Sequence, residues 1–325
     1  MSELFPLTVV VLTRNEAENI GRCLASVDWC DERVIVDDGS EDATCEIATR
    51  YGARVLQRRF DSFAGQRNWA LEHGGLRNRW ILMLDADEVV TLPLKHEIQR
   101  VLPAASEEVA AFRMCRRTVF LGQWLRYSDG FPVWIMRLVD RDRARFVDQG
   151  HGEVPVPPVN GRIAILHEPF DHYPFSRGID DWVERHCRYA EREASLEAGG
   201  PMTFRWRDLL FSGAAGRRQA LRTLSRGLPA RPLVRFLYQY VWKRGFLDGR
   251  GGLVFSTLMA FYEALILIKR WERRPSHCAE QAEEAEAPAC LVQGHPSGLL
   301  DDINAIRECV VSHHDMPSDG LRRGH

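Results

Sequence analysis

Two kinds of hydrophobic pattern alternate over the first hundred positions. "LTVVVLT" (7–13) and "WILML" (80–84) are apolar almost without interruption, the pattern of strands buried on both faces of a sheet. Between them, "NEAENIGRCLASV" (15–27) has helical spacing, with Asn15 as the expected N-cap. "RVIVDDGS" (33–40) reads as a second strand running into a turn, and "EDATCEIATRYG" (41–52) as a helix stopped by Gly52. "ARVLQR" (53–58) is a third short strand, and a further helix is expected around 64–73. Strands alternating with helices predict an α/β fold with a parallel sheet and right-handed crossovers.

From 109 to 170 the pattern changes to short β-like pieces, among them "VWIMRLVDR" and "ARFVDQGHGEVPV". A helix returns over 178–199 and stops at Gly199-Gly200-Pro201. "LVRFLYQYVWKRGFL" (233–247) then places Leu233, Phe236, Leu237, Tyr240, Val241 and Arg244 on one helical stripe. "DGRGG" is expected to break the chain before "LVFSTLMAFYEALILI" (253–268), a run of 16 residues interrupted by Glu263 and short of the roughly 20 that cross a bilayer.

Charge sharpens this division. The whole chain carries a net charge of −2, but residues 205–250 hold 11 Lys+Arg against 2 Asp+Glu, and residues 272–325 hold 10 acids against 5 basic residues. The basic, apolar segment suits the headgroup layer of an anionic membrane, or else a helical hairpin packed on the catalytic domain or a dimer partner. Without a nucleic-acid-binding motif, the basic residues are not expected to bind nucleic acid. Acids, Pro, Gly and His make 273–325 a disordered tail by composition. The eight cysteines show no CxxC pair, and the apolar stretch Leu7–Leu12 is too short for a signal core, so reduced cytosolic thiols are expected.

The chemistry concentrates where apolar strands end in acids: Asp37-Asp38 after one, and Asp85, Asp87 and Glu88 after another. In a parallel sheet both ends open on one edge, where open α/β sheets bind ligands. Clustered carboxylates repel one another and require a cation. A D-x-D at a strand end suits Mg²⁺ or Mn²⁺ bridging to a diphosphate, although a solvated turn produces the same spacing. Arg67, in "GQRNWAL" (65–71), is a candidate diphosphate contact.

"VVVLTRNEAENI", "VIVDDGS", "FAGQRNWAL" and "WILMLDADE" resemble, in order and spacing, the nucleotide-sugar-binding half of glycosyltransferase family 2. "FLGQWLRYSDGFPVWIMRLVDRDRARF" and "HGEVPV" are similar to its lipopolysaccharide-core branch, and "HYPFSRGIDDWVERHCRYAEREA", "RPLVRFLYQYV" and "GFLDGRGGL" to relatives in bacterial surface-polysaccharide synthesis. The resemblance implies a GT-A fold, a Rossmann-like mixed sheet flanked by helices, with a divalent metal and inversion at the anomeric carbon. It places Thr13 and Glu16 at the nucleoside, Asp38 at the base, Arg67 near the nucleotide, Asp85 against ribose and metal, and Asp87 on the metal. A catalytic domain over 1–204 is expected, with a donor half to about 105 and an acceptor half from 106. A membrane-associating segment of amphipathic helices (205–272) and the tail (273–325) follow.

Inverting transfer needs a base for the acceptor hydroxyl. Asp85, Asp87 and Glu88 belong to the donor side, which leaves Glu153, in the β-like acceptor region, with His151 in reserve. His172 is expected to orient the acceptor or close the lobe. Trp124, Trp134 and Trp182 are either sugar platforms or core, and Arg137 is either a ligand contact or an ion-pair partner. The expected reaction is hexose transfer from a nucleoside-diphosphate sugar to a lipid-linked saccharide at the cytoplasmic face of the membrane. A sugar nucleotidyltransferase is the rival enzyme, although the Gly-rich loop usual in that class is missing. A non-catalytic membrane-bound scaffold is the other rival, against which the intact "DDGS" and "DADE" argue.

Overall fold

The computed structural model describes residues 4–149, 152–156, 161–198 and 230–273, with the backbone alone at 149, 152–156, 196 and 198. His151, residues 205–229 of the basic stretch and the tail from 274 lie outside the described residues. The first hundred residues run β1 (Phe5–Thr13), α1 (Ala17–Ala25), β2 (Cys30–Asp37), α2 (Thr44–Arg50), β3 (Arg54–Gln57), α3 (Phe63–His73), β4 (Trp80–Asp85), β5 (Glu88–Val89) and α4 (Leu92–Val101). The next stretch adds β6 (Val109–Phe120), β7 (Gln123–Trp124), β8 (Val133–Asp140), β9 (Arg145–Gln149), β10 (Gly152–Val156), β11 (Arg162–Ile165), β12 (Phe170–His172) and α5 (Gly178–Ala198). Two further α-helices, α6 (Arg231–Leu237) and α7 (Gly249–Glu272), joined through a π-helical turn (Tyr238–Trp242) and a 3-10 turn (Gly245–Asp248), complete the described chain.

The strands form a ten-stranded mixed sheet in the order β3-β2-β1-β4-β8-β6-β12-β5, with β7 and β11 paired to β6. β3, β2, β1 and β4 are parallel, as the sequence predicts, and β8 turns the sheet antiparallel by pairing with both β4 and β6. The apolar runs are explained by helices on both faces. Val9 and Val11 of β1 and Leu82 and Leu84 of β4 pack under α1 and α4, whereas Val10, Ile81 and Met83 pack under α3. Register brings the acidic ends together, with Thr13 opposite Asp37 and Leu12 opposite Asp85.

Local details depart from the sequence reading in instructive ways. Asn15 does not cap α1; it adopts a left-handed backbone (φ 53°), and its side-chain oxygen accepts from the Glu41 amide at 2.9 Å. The α1 N-terminus is instead satisfied from the β2–α2 turn, where Asp42 accepts from the Ala17 amide at 3.0 Å and the Thr44 hydroxyl from the Glu16 amide at 2.7 Å. Trp182 is core, stacked on His186 with ring centroids 3.6 Å apart, and is no sugar platform.

The C-terminal helices pack on the catalytic domain, and residues 1–274 form one compact unit. Phe255 joins Phe120 and Leu125, while Tyr262 and Ile266 join Trp182 and Ala190 of α5. Buried Asp248 fastens the turn before α7: its carboxylate accepts from the amides of Arg126 (3.1 Å), Tyr127 (3.0 Å) and Ser128 (2.7 Å) and from the Ser128 hydroxyl (2.7 Å). Nor does "DGRGG" end the helical hairpin. The break falls at its front, where Gly249 (φ 57°) opens α7, and Gly251 and Gly252 lie inside the helix, where a Cβ on Gly252 would meet the Gly245 carbonyl at 2.0 Å. The helix is therefore longer than the run of 16 residues counted in the sequence, and the stretch Gly245–Glu272 is long and apolar enough by composition to cross a membrane. It is apolar around most of its girth, not amphipathic. The charge of Glu263 is turned inward into an ion pair with Arg231.

Candidate active site

The core of the site is the end of β4. Asp85 is the last residue of the strand, with its side chain about one-third exposed (36%). Arg67 of α3 donates to its Oδ1 at 2.7 Å, and Arg137 of β8 donates to its Oδ2. Arg137 also donates to Glu88 Oε1 at 2.6 Å, and Glu88 Oε2 accepts from the Asp85 amide at 3.0 Å. Both arginines and Glu88 are buried. Burial alone would raise the Asp85 pKa, but Arg137 and then Arg67 outweigh it and hold the carboxyl below the ordinary range. For Glu88 burial prevails, and its carboxyl is shifted upward.

Asp87 stands on the turn between β4 and β5. Its carbonyl accepts from the Tyr173 amide at 2.9 Å, and its Oδ2 lies 3.5 Å from His172 Nε2. His172 reaches it because β12 pairs antiparallel with β5, with His172 opposite Glu88. Burial would raise the Asp87 pKa; the facing imidazole reverses this and lowers it. His172 Nδ1 is buried without a hydrogen-bond partner.

At the end of β2, the next strand but one from β4, Asp37 is a strut. Burial would raise its pKa, but the Ser40 hydroxyl (2.5 Å) and amide (2.8 Å) and the Thr13 hydroxyl (2.9 Å) donate to its carboxylate and lower it. The Thr13 hydroxyl is thus committed to Asp37. Asp38 lies further out, accepting from the Phe60 amide at 2.7 Å and pairing with Arg14 at 2.6 Å. Glu16 sits across the crevice mouth, 3.1 Å from Arg177 and accepting from the Asn19 side chain at 2.7 Å. Arg177 also donates to the Asn15 carbonyl at 2.8 Å and pairs with Asp181 of α5 at 2.9 Å, joining the acceptor half to the donor loop.

The structure therefore gathers Glu16, Arg67, Asp85 and Asp87 around one edge, with Thr13 and Asp38 on the adjoining strand ends. Arg137 is an ion-pair partner of both Asp85 and Glu88. Glu153 lies in the β9–β10 hairpin, opposite Asp148. That hairpin is tied to α3: Asn68 donates to and accepts from the Phe146 backbone, both at 2.9 Å, and Asp148 accepts from the Ala64 amide at 3.2 Å. The strand carrying Glu153 is thus fixed to the helix that carries Arg67. The His172–Asp87 pairing escaped the sequence reading, because only the β12–β5 pairing reveals it.

Residues 8–154 match the model of the family described as Glycosyl transferase family 2. The mixed sheet and flanking helices give the chain the expected GT-A form. Over 268 residues the chain is 25% identical to the lipopolysaccharide core biosynthesis glycosyltransferase LpsC of Rhizobium meliloti, covering 78% of this chain and 90% of that protein. It is 39% identical over 119 residues to a TPR repeat-containing protein of Synechococcus elongatus, covering 36% of this chain and 28% of that one. Among solved structures, the mannosyltransferase PcManGT of Pyrobaculum calidifontis, in complex with GDP-Man and Mn²⁺, superposes with a TM-score of 0.44 at 17% identity over 84% of this chain and 89% of that chain.

Burial pushes Glu16 up to about 7, against the opposing effects of Asn19 and Arg177. The folded protein therefore binds more protons than the unfolded chain between about pH 4.5 and pH 7. This contribution is present below the unfolded pKa and is lost as pH rises through the folded one. Glu16→Gln should remove the pH dependence and stabilise the protein at pH 8, relative to wild type, by up to about 3 kcal/mol, with little difference at pH 4.5. Denaturant titrations at the two pH values measure this; parallel pH profiles for the two proteins would contradict it.

Proposed function

We propose that this protein is a metal-dependent inverting glycosyltransferase that moves a hexose from a nucleoside-diphosphate sugar to a lipid-linked saccharide, in lipopolysaccharide or surface-polysaccharide synthesis at the cytoplasmic membrane face. The observation that carries the reading is the carboxylate cluster at the end of β4, arginine-braced and partly open, inside a family 2 domain. The family and the similarity to LpsC support the reaction class, and the exposed apolar helices support the membrane location.

The donor set fits Mg²⁺ or Mn²⁺. Among the described residues no group of three or more His, Cys, Asp or Glu gathers closely enough to hold an ion alone. A magnesium-like ion does not need one, since it takes most of its shell from phosphate and water and only one or two carboxylates from protein. Asp87 would be the chief ligand, with His172 beside it. Asp85 has both oxygens bonded to arginines and would join by its remaining lone pairs. When bound, the ion supplies charge stabilisation for the departing nucleoside diphosphate.

The remaining roles belong to the chain. Glu16, Thr13 and Asp38 line the nucleoside end. Arg67 and Arg137 keep Asp85 ionised, so that a divalent ion would meet a fixed negative charge. Glu153 takes the acceptor proton from the face opposite the leaving group, and His151 is the alternative base.

Asp87→Ala should abolish transfer while leaving the thermal midpoint near that of wild type. Near-normal turnover in this variant at limiting metal would remove Asp87 from the metal site. Glu153→Gln keeps the shape but not the basicity, and should lower kcat by roughly two to four orders of magnitude with donor affinity little changed. Steady-state kinetics with separate donor titrations decide this. Full activity in Glu153→Gln together with loss in His151→Ala would move the role to His151.

A further inference from the structure

α7 is long and apolar enough to cross a bilayer, yet its inner side is attached to the catalytic domain from end to end. Asp248 fastens its start to residues 126–128. Phe255 and Ile266 pack into two buried clusters along its length. Near its end Arg270 pairs with Glu197 at 3.0 Å and Lys269 with Glu191 at 2.9 Å. A spanning α7 would have to strip these contacts or carry the ion pairs of α5 and α6 into hydrocarbon, both at large cost.

The outer side is different. Around the turn between α6 and α7, Val241, Trp242, Phe246, Leu247 and Leu253 are exposed, Trp242 by 80%. Arg244 and Arg250 are exposed among them. The sole acid between 230 and 250 is Asp248, which is buried, so the turn presents apolar and cationic groups with no exposed carboxylate. A protein partner could cover the apolar groups. Exposed aromatic residues interleaved with arginine, at the turn before a helix fastened along the domain, match the boundary between acyl chains and anionic headgroups.

We propose that the α6–α7 turn is an interfacial anchor, inserting Trp242, Phe246 and Leu247 into an anionic leaflet with Arg244 and Arg250 at the lipid phosphates, while α7 lies along the membrane without crossing it. The proposal rests on the membrane location inferred above and adds the surface and its orientation. The same turn holds the 126–128 loop through Asp248. The adjacent Asp129 accepts from Thr118 at 2.6 Å, and Thr118 pairs with His172 across β6 and β12. Insertion at the turn therefore sets the height of the acceptor-side strands above the lipid.

Flotation of the full chain with phosphatidylcholine vesicles, with and without phosphatidylglycerol, tests this. Wild type should float with anionic vesicles at low salt, less at high salt, and be released from them by alkaline carbonate. The triple variant Trp242→Ser/Phe246→Ser/Leu247→Ser should bind at least tenfold more weakly with an unchanged thermal midpoint. Arg244→Glu/Arg250→Glu should lose the preference for anionic lipid. Retention of wild type after carbonate would overturn the flat orientation. Triple-variant binding equal to wild type would overturn the anchor while leaving the membrane location standing. Wild type staying off anionic vesicles would defeat both. A triple variant that changes oligomeric state, with vesicle binding intact, would make the turn a dimer contact and overturn the anchor.

Discussion

Everything at the site depends on keeping Asp85 ionised beside two other acids. Unit charges about 4 Å apart repel by about 4 kcal/mol near a protein surface, and burial adds a desolvation cost. Arg67 and Arg137 offset both, and they come from opposite directions: a helix over the sheet and an antiparallel strand beside β4. The arrangement requires β4 to sit between β1 and β8, and α3 to lie across the strand ends. The sheet order is thus also the condition for a stable acidic crevice. Removing Arg137 would take buried Glu88 out of its ion pair and leave Asp85 with Arg67 alone, which costs more than the pairs contribute.

The second constraint is mechanical. Beyond the β4–β8 and β5–β12 pairings, polar ties join the parts of the chain: Arg177 on Glu16, Asn68 on the β9–β10 hairpin, and Asp248, before α7, on the 126–128 loop. Each tie uses a charged or amide side chain to satisfy backbone groups or a charge on another element, as the high cost of unsatisfied buried groups demands. The β9–β10 hairpin, the acidic crevice and the C-terminal helices thereby form one continuous body, and the exposed helical surface belongs to it.

How much the sequence disclosed follows from the range of the interactions. β1 and β4 were legible because strands buried on both faces leave uninterrupted apolar runs, and the acidic strand ends because carboxylates after such runs are chemically costly. Glycine misled. Gly251 and Gly252 read as a break, yet they allow close approach inside α7. The inward turn of Glu263 toward Arg231 was equally invisible, because it depends on which face α6 covers. Asn15 was misread as a cap because its partners lie across the β2–α2 turn, and His172 became a neighbour of Asp87 only through the pairing of β12 with β5. Local pattern carries elements; the pairing of distant polar groups needs the topology.

The central claim is that the end of β4 binds a nucleoside diphosphate through a divalent ion. Titration calorimetry with a panel of nucleoside diphosphates, in Mn²⁺ and again in excess chelator, tests it most directly. The account predicts that at least one nucleotide binds in Mn²⁺, with binding lost in chelator. Equal affinity in chelator, or no binding by any nucleotide in Mn²⁺, would contradict it.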